Sequence, residues 1–393
     1  MNSGSSSLKF SLIDHSTEEI LVQGLAESLG SPDAVLHLSR AGWEKEIHPI
    51  PNAGHALAIA TVMDQIDGSR IGAVGHRVVH GGETFSGSIQ INPAAIAAIR
   101  HCVPLAPLHN PANLAGIEAA MERFPSLPHV AVFDTAFHQT MPRHAFLYAV
   151  PYAFYEEHQV RRYGFHGTSH RFVSAEAARM LGKNPADLQL ITAHLGNGCS
   201  ACAIKGGFSV DTSMGLTPLE GLVMGTRSGD VDPNLHQFLA AALGKSLDEI
   251  TAILNRESGL LGLSGLSNDM RQLAEAAAQG HSRAALAIEV FCYRLAKGLL
   301  ALAAGLDRID ALVFTGGIGE NSAAVREKTL SHLRILGPII DAELNATHGR
   351  RSSGKITAPH SRLLTLVIPT NEELVIAREA ARFLDPSTTP SIP

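Results

Sequence analysis

At 393 residues the chain is longer than one average hydrophobic core organises, so two domains are expected. Apolar residues make up 45% and charged residues 17%, the composition of a compact globular protein with much to bury. The formal net charge of −6 argues against nucleic-acid binding as the main task, since such domains carry basic patches; an anionic substrate would need local Arg and Lys to hold it.

The chain opens MNSGSSSLKFSLID, where a run of Ser and Gly breaks into an alternating apolar pattern that predicts a strand over 8–13. Short strands are expected over 34–38 and 44–48, a helix over 54–65, an apolar strand over 71–79 and helices over 93–101 and 112–123. A buried strand follows over 129–134. The stretch 141–162, rich in Tyr, Pro and His, reads as irregular and places a domain boundary near it. The second half repeats the logic: a strand over 188–194, a Gly-rich turn, a returning strand over 199–205 and an extension over 207–210. Helices are predicted over 232–243, 247–257, 269–279 and 283–304, then a strand over 311–315 and a helix over 323–336. A late strand over 363–368 and a helix over 372–383 close the fold, and the Pro/Ser-rich tail 386–393 is expected to be disordered. Alternating strands and helices point to α/β architecture.

The four cysteines, Cys102, Cys199, Cys202 and Cys292, are too few and too scattered for a disulfide framework. Cys199 and Cys202 form a C-x-x-C, but CSACAIK reads as strand, where residues three apart face opposite ways. There is no signal peptide and no apolar run long enough to span a bilayer, so a cytoplasmic location without a membrane partner is expected.

Small-residue turns between strands expose consecutive backbone N–H groups that can hold an anion. NSGSSS with Lys9 beside it is one; His194, Leu195, Gly196, Asn197 and Gly198 form a second; TGGIGEN, between a strand and a helix, is a third. Singly, each is an ordinary turn; three in one chain favour a nucleotide. None is a P-loop, and GGIGEN lacks the G-x-G-x-x-G spacing. Charged groups gather at strand ends: Arg77 in GHRVVHGGE, Asp134 after HVAVF, His166 in YGFHGTSH and Arg227 in MGTRSGDVDP. Alone, either arginine is more often a salt-bridging residue and Asp134 a helix cap. His166 and His170 are four apart, but with no further matched ligand zinc is not expected.

Taken together and in order, NSGSSSLK, HRVVHGGE, APLHNP, FDTAFH, YGFHGTSH, HLGNG, GLTPLEGLVMGTRSGDVDP, FTGGIGENS and IPTNEE closely resemble the acetate kinase family, over essentially the whole chain. The resemblance implies two α/β domains of the actin-like ATPase (ribonuclease H-like) fold. Each would be a mixed sheet with flanking helices, with the active site in the interdomain cleft. The N-terminal domain would span 1–148 plus 372–385, with the acetate site and first phosphate loop, and the C-terminal domain 149–371, with the nucleotide site. It further implies reversible, Mg²⁺-dependent transfer from ATP to acetate by direct in-line displacement, giving acetyl phosphate and ADP, with Mn²⁺ able to substitute, in a homodimer.

By the same resemblance, Arg77 binds the acetate carboxylate, Arg227 and His166 stabilise the equatorial oxygens, and Asp134 matches the family's catalytic acid, with holding Mg²⁺ and ordering the arginines weighed at least equally. Val79, Leu108, Phe165 and Pro218 match the pocket for the acetate methyl. Lys9 and the His194–Gly198 turn fall at the phosphates. Asp269, Met270 and Arg271, with Gly317, Ile318, Gly319, Glu320 and Asn321, fall at the adenosine. Asn2 and Glu372 match metal-associated positions, with Glu373 the alternative to Glu372. One methylene in such a pocket is worth only about 1–3 kcal/mol, so a propionate or short-chain acyl kinase is the alternative. In that family several apolar residues forming the hairpin's first strand precede the first loop. Only Met1 stands before Asn2 here, so the sequence is expected to be short at its start, and a nucleotide-binding member impaired by that lack is a further alternative.

Overall fold

The structure, a computed structural model, describes residues 1–4, 6–40, 42–64, 66, 71–107 and 109–384. The expected disordered tail and Leu108 lie outside these. The chain divides into two compact units, Met1–Gln139 with the segment from Asn371 onward, and Thr140–Thr370.

In the first unit, β1 (Asn2–Ser3), β2 (Leu8–Ile13), β3 (Ile20–Glu27), β4 (Val35–Arg40) and β5 (Glu46–Pro49) form an antiparallel sheet in sequential order. The alternation in LKFSLI is the cause at β2: Leu8 and Phe10 are buried while Lys9 between them is exposed. The expected strands are present, the hairpin's first strand, expected to be lacking, is the two-residue β1 paired with β2, and β3 is a further addition. Its sequence ILVQGLAE is interrupted by a glycine, which masks the strand pattern. Gly24 is required because Phe10 lies across it, so that a Cβ there would come within 2.4 Å of the Phe10 ring. A second, three-stranded sheet has β8 (His129–Phe133) in the centre, parallel to β6 (Val74–Val78) and antiparallel to β7 (Ile89–Gln90). Met1 joins the sheets, donating from its nitrogen to the Gly75 carbonyl and accepting from Arg77 N–H. Helix Asn110–Arg123 packs close to β1 because residue 116 is glycine; a Cβ there would lie 2.0 Å from Ser3 Oγ.

Beside Arg77 a histidine pair is sealed in this unit, His76 Nε2 lying 3.0 Å from His129 Nδ1 with the rings stacked. His129 Nε2 donates to the Phe124 carbonyl at 3.0 Å, which leaves Nδ1 to accept from His76. Burial holds both imidazoles below their ordinary pKa, His76 well below it. The unfolded chain therefore takes up protons below about pH 6.5 that the folded protein refuses, so stability present above that pH is lost as pH falls. The melting temperature is expected to fall more steeply between about pH 7 and about pH 5 in the wild type than in His76→Gln. Equal slopes in a thermal-shift series would remove the pair as the cause.

The second unit is built on a mixed sheet in the order β11-β10-β9-β12-β13, with β9 (Gln189–Leu195), β10 (Cys199–Lys205), β11 (Phe208–Thr212), β12 (Ala311–Thr315) and β13 (Thr365–Val367). The β9–β10–β11 part is antiparallel, and β12 runs parallel to both β9 and β13. The two small-residue turns expected to match do so: β1–β2 and β9–β10 are both antiparallel hairpins. Helix Ser282–Leu302 buries Ala287, Phe291, Leu295 and Leu299 at helical spacing. Several stretches differ from expectation, the unexpected short helices Gly259–Ser264 and Ala342–Ala346 among them. Residues 141–162 are not wholly irregular but hold short helices Arg143–Phe146 and Ala153–His158. YGFHGTSH launches an unexpected long helix, Gly167–Leu181, because its polar start GTSH is buried rather than solvated. All four cysteines are buried thiols outside any disulfide, and burial pushes the Cys199 thiol up to about 12. Among the described residues no helix is long and apolar enough to cross a membrane.

Candidate active site

Each unit carries one cluster of the candidate residues. In the first unit β6 delivers Arg77 and the end of the neighbouring β8 delivers Asp134, whose N–H bonds the Val78 carbonyl at 3.0 Å. Arg77 Nε donates to Asp134 Oδ1 at 3.0 Å, and Nη2 donates to Oδ2 at 2.6 Å, a two-pronged grip that fixes the guanidinium plane. Asp134 is only 2% exposed and Arg77 19%. Burial raises the Asp134 carboxyl above the ordinary carboxylate range, and the Arg77 charge pulls it back in part. Burial disfavours the Arg77 charge, but Asp134 and Glu372 outweigh it and hold the guanidinium protonated.

Glu372 opens helix Glu372–Ala381, and its charge is felt by both members of the pair. Glu373 is committed elsewhere: it holds Lys9 Nζ at 2.5 Å. Asn2 pairs across the hairpin with Lys9. Two asparagines not singled out from sequence latch the loop after Arg77. Asn113 Oδ1 accepts the Val79 N–H and its Nδ2 reaches the Ser3 carbonyl at 2.7 Å. Asn110 bonds both the N–H and the carbonyl of His80. The motif APLHNPAN carried this signal, since Asn side chains are two-sided hydrogen-bonders.

In the second unit the turn between β9 and β10 gathers the cluster. His166, held at φ 56° and ψ 23°, caps helix Gly167–Leu181 and turns its ring onto His194, with centroids 4.3 Å apart. A non-glycine residue in that left-handed conformation is strained, at a cost of about 1–2 kcal/mol. His166 Nδ1 meets Ser200 Oγ at 2.8 Å, and His194 Nδ1 meets Ser169 Oγ at 2.8 Å. The bare backbone of Gly198 lies against both candidates: a Cβ there would be 3.3 Å from Arg227 Nη2 and 3.4 Å from the His166 ring. Arg227 Nη1 donates to the Pro218 carbonyl at 2.8 Å. Phe165 is buried beside His166 in the chain. Gly196 N–H closes the turn on the Gly198 carbonyl at 3.0 Å, and Asn197 accepts Gly225 N–H at its carbonyl and Asn268 at its amide oxygen.

The third turn differs from its expected form. GGIGEN is the helix Gly316–Asn321, entered directly from β12, and Glu320 Oε1 reaches back to the N–H of Gly316 at 2.9 Å. Gly316, at φ +75°, backs onto Leu195, so this helix and the β9–β10 turn share one end of the sheet. Arg326, fully buried and missed from sequence, fastens the helix by donating to the Gly319 and Glu320 carbonyls and to Asn345. Its signal was an arginine among the core positions Val325, Thr329 and Leu330. Asp269 caps helix Met270–Ala278 and grips the exposed Arg271 at 2.6 Å.

Comparison with known proteins places these clusters in context. The profile of the Acetokinase family matches residues 1–378. The chain is 58% identical over 389 residues to acetate kinase of Ectopseudomonas mendocina, covering 98% of each chain. Among solved structures it is similar to a propionate kinase from Francisella tularensis, at 47% identity and a TM-score of 0.92 over 97% of each chain. It is also similar to acetate kinase of Porphyromonas gingivalis, at 44% identity and a TM-score of 0.90 over 98% of each.

Proposed function

The chain belongs to the Acetokinase family and shares the two-domain α/β fold of its solved relatives; from that premise we propose that it transfers the γ-phosphoryl group of ATP reversibly to the carboxylate of acetate. The β–γ P–O bond of ATP breaks, a P–O bond to an acetate oxygen forms, and ADP and acetyl phosphate leave. Acetate is ionised at neutral pH, so its oxygen needs no base to attack. The difficulty is that one anion must approach another, and phosphoryl transfer is governed by positioning and charge neutralisation. The observation that carries the reading is the convergence of the Arg227 guanidinium and the His166 imidazole on Gly198, in a turn whose backbone can hold phosphates.

In this reading Arg77, held flat by Asp134, binds the acetate carboxylate, and Arg227 and His166 stabilise the equatorial oxygens. Val79, Phe165 and Pro218 receive the methyl group. The His194–Gly198 turn holds phosphate, while Asp269, Arg271 and the helix Gly316–Asn321 hold adenosine. Asp134 acts chiefly by orienting Arg77 and sharing a cation, since a carboxylate already gripped by a guanidinium is a poor proton donor. The oxygen donors Asn2, Asp134 and Glu372 suit Mg²⁺, which prefers hard oxygen ligands and keeps several waters. Glu372 makes no ion pair among the described residues, and no three His, Cys, Asp or Glu side chains there converge to cage an ion unaided. When bound, Mg²⁺ would neutralise phosphate charge. A cytoplasmic homodimer completes the reading: helix Leu235–Leu243 is apolar yet has no buried residue, with Phe238 68% exposed, which leaves a face for a second copy.

A hydroxamate assay across acetate, propionate and butyrate tests this. Acetate is expected to give the highest kcat/KM, with propionate reduced by about 10–200-fold for its extra methylene. A higher value for propionate would make the chain a propionate kinase, and no turnover on any acid would sink the reading.

A further inference from the structure

We propose that Tyr148, Arg162 and Glu220 form a positioning cluster that sets Arg227, and with it His166, for phosphoryl transfer. The inference rests on the transfer reading above but names residues that contact no reacting group. The loop from Thr212 to Asp230 carries both Pro218, whose carbonyl holds Arg227 Nη1, and Arg227 itself. Three side chains fasten its near half. Arg162 Nη1 donates to the carbonyls of Thr212, Ser213 and Met214 at 2.8, 2.9 and 3.1 Å, and its Nη2 to the Glu220 carboxylate. Tyr148 donates its hydroxyl to the other Glu220 oxygen and accepts the Leu216 N–H at 2.8 Å. The cluster sits so close to the chain that only glycine fits at 215, where a Cβ would lie 1.5 Å from Glu220 Oε2.

The same loop is tied to the segment bearing the other candidate, because the Gly215 carbonyl accepts Tyr163 N–H at 3.0 Å, three residues before His166. Asp230 closes the far end, its Oδ1 accepting Gly221 N–H at 2.7 Å. An arginine side chain is long and flexible, and Pro218 can aim it only while the loop is fixed. Misplacing a catalytic group by about 1 Å costs about 10²-fold in rate. Glu220 is thus shared between a cation and a phenol. Loss of either contact frees the loop without removing any group from the reaction.

The test uses Tyr148→Phe and, because Glu220→Gln leaves Arg162 uncompensated and can unfold the unit, treats the tyrosine variant as primary. Tyr148→Phe is expected to lower kcat by about 10–10²-fold with the KM for ATP and acetate little changed. In an Arg227→Lys background the same change should cost little more, since the two act through one guanidinium. Hydrogen exchange should quicken across residues 213–230 and not elsewhere in the unit. Wild-type kcat in Tyr148→Phe, a full additional loss in the Arg227→Lys background, or unchanged exchange would each overturn the proposal. A wild-type chain that phosphorylates no acid, with loop exchange still quickened in Tyr148→Phe, would sink the transfer reading, and with it the role in transfer, while showing that the cluster fastens the loop.

Discussion

Replacing Arg227 by alanine is expected to lower kcat by about 10³-fold or more, because an arginine on a transferring phosphoryl group is worth about 10³–10⁵ in rate. The fold should survive. The backbone around Arg227 is held by bonds that do not involve its side chain: Met224 N–H to the Arg227 carbonyl, Ser258 N–H to the Thr226 carbonyl and Leu260 N–H to the Met224 carbonyl. The guanidinium donates to the Pro218 carbonyl and lies against Gly198, and its loss removes charge from the cluster. Steady-state kinetics with a melting curve on the same preparation checks both halves. A folded Arg227→Ala enzyme with wild-type turnover would remove Arg227 from the mechanism.

Asp134→Asn is expected to lower kcat by about 10²–10³-fold, the loss typical of removing one preorganised electrostatic partner. The physical reason differs from that at Arg227. Asp134 is buried and both its oxygens face Arg77; an amide would turn an N–H₂ toward N–H donors and leave a guanidinium uncompensated. Breaking a buried pair in this way costs about 3–5 kcal/mol, so the variant should also melt earlier. Asp134→Glu separates the two effects. It restores the charge, and with it stability, but displaces the Arg77 plane, so its rate should stay low. A glutamate variant with full activity would show that the charge matters and the geometry does not.

Much of the architecture was legible in the sequence, for identifiable reasons. LKFSLI and HVAVF carry strand periodicity or uninterrupted apolar runs, and both are strands in the structure. The two matching hairpins showed in their small-residue turns because such turns need little side-chain volume. What escaped was long-range. β3 is interrupted by Gly24, whose need for a glycine arises only from Phe10 on another strand. GGIGEN looked like an open loop because glycines disfavour helix, yet its own Glu320 accepts the Gly316 N–H and the buried Arg326 bonds its backbone from outside, and together they stabilise the helical turn. The choice between Glu372 and Glu373 could not be made from adjacent identical residues. In the structure Lys9 holds Glu373, while Glu372 is felt by Arg77 and Asp134. Pro218, expected only as a wall for the methyl group, also offers its carbonyl to Arg227, a contact no side-chain pattern encodes.

The central claim is that a carboxylate oxygen of acetate attacks the γ-phosphorus of ATP. Incubating the protein with ATP and acetate labelled with ¹⁸O in both oxygens, and reading the product by ³¹P NMR, tests it most directly. The account predicts acetyl phosphate whose phosphorus resonance carries the isotope shift of one bridging ¹⁸O. Acetyl phosphate without that shift, or no acetyl phosphate at all, would contradict it.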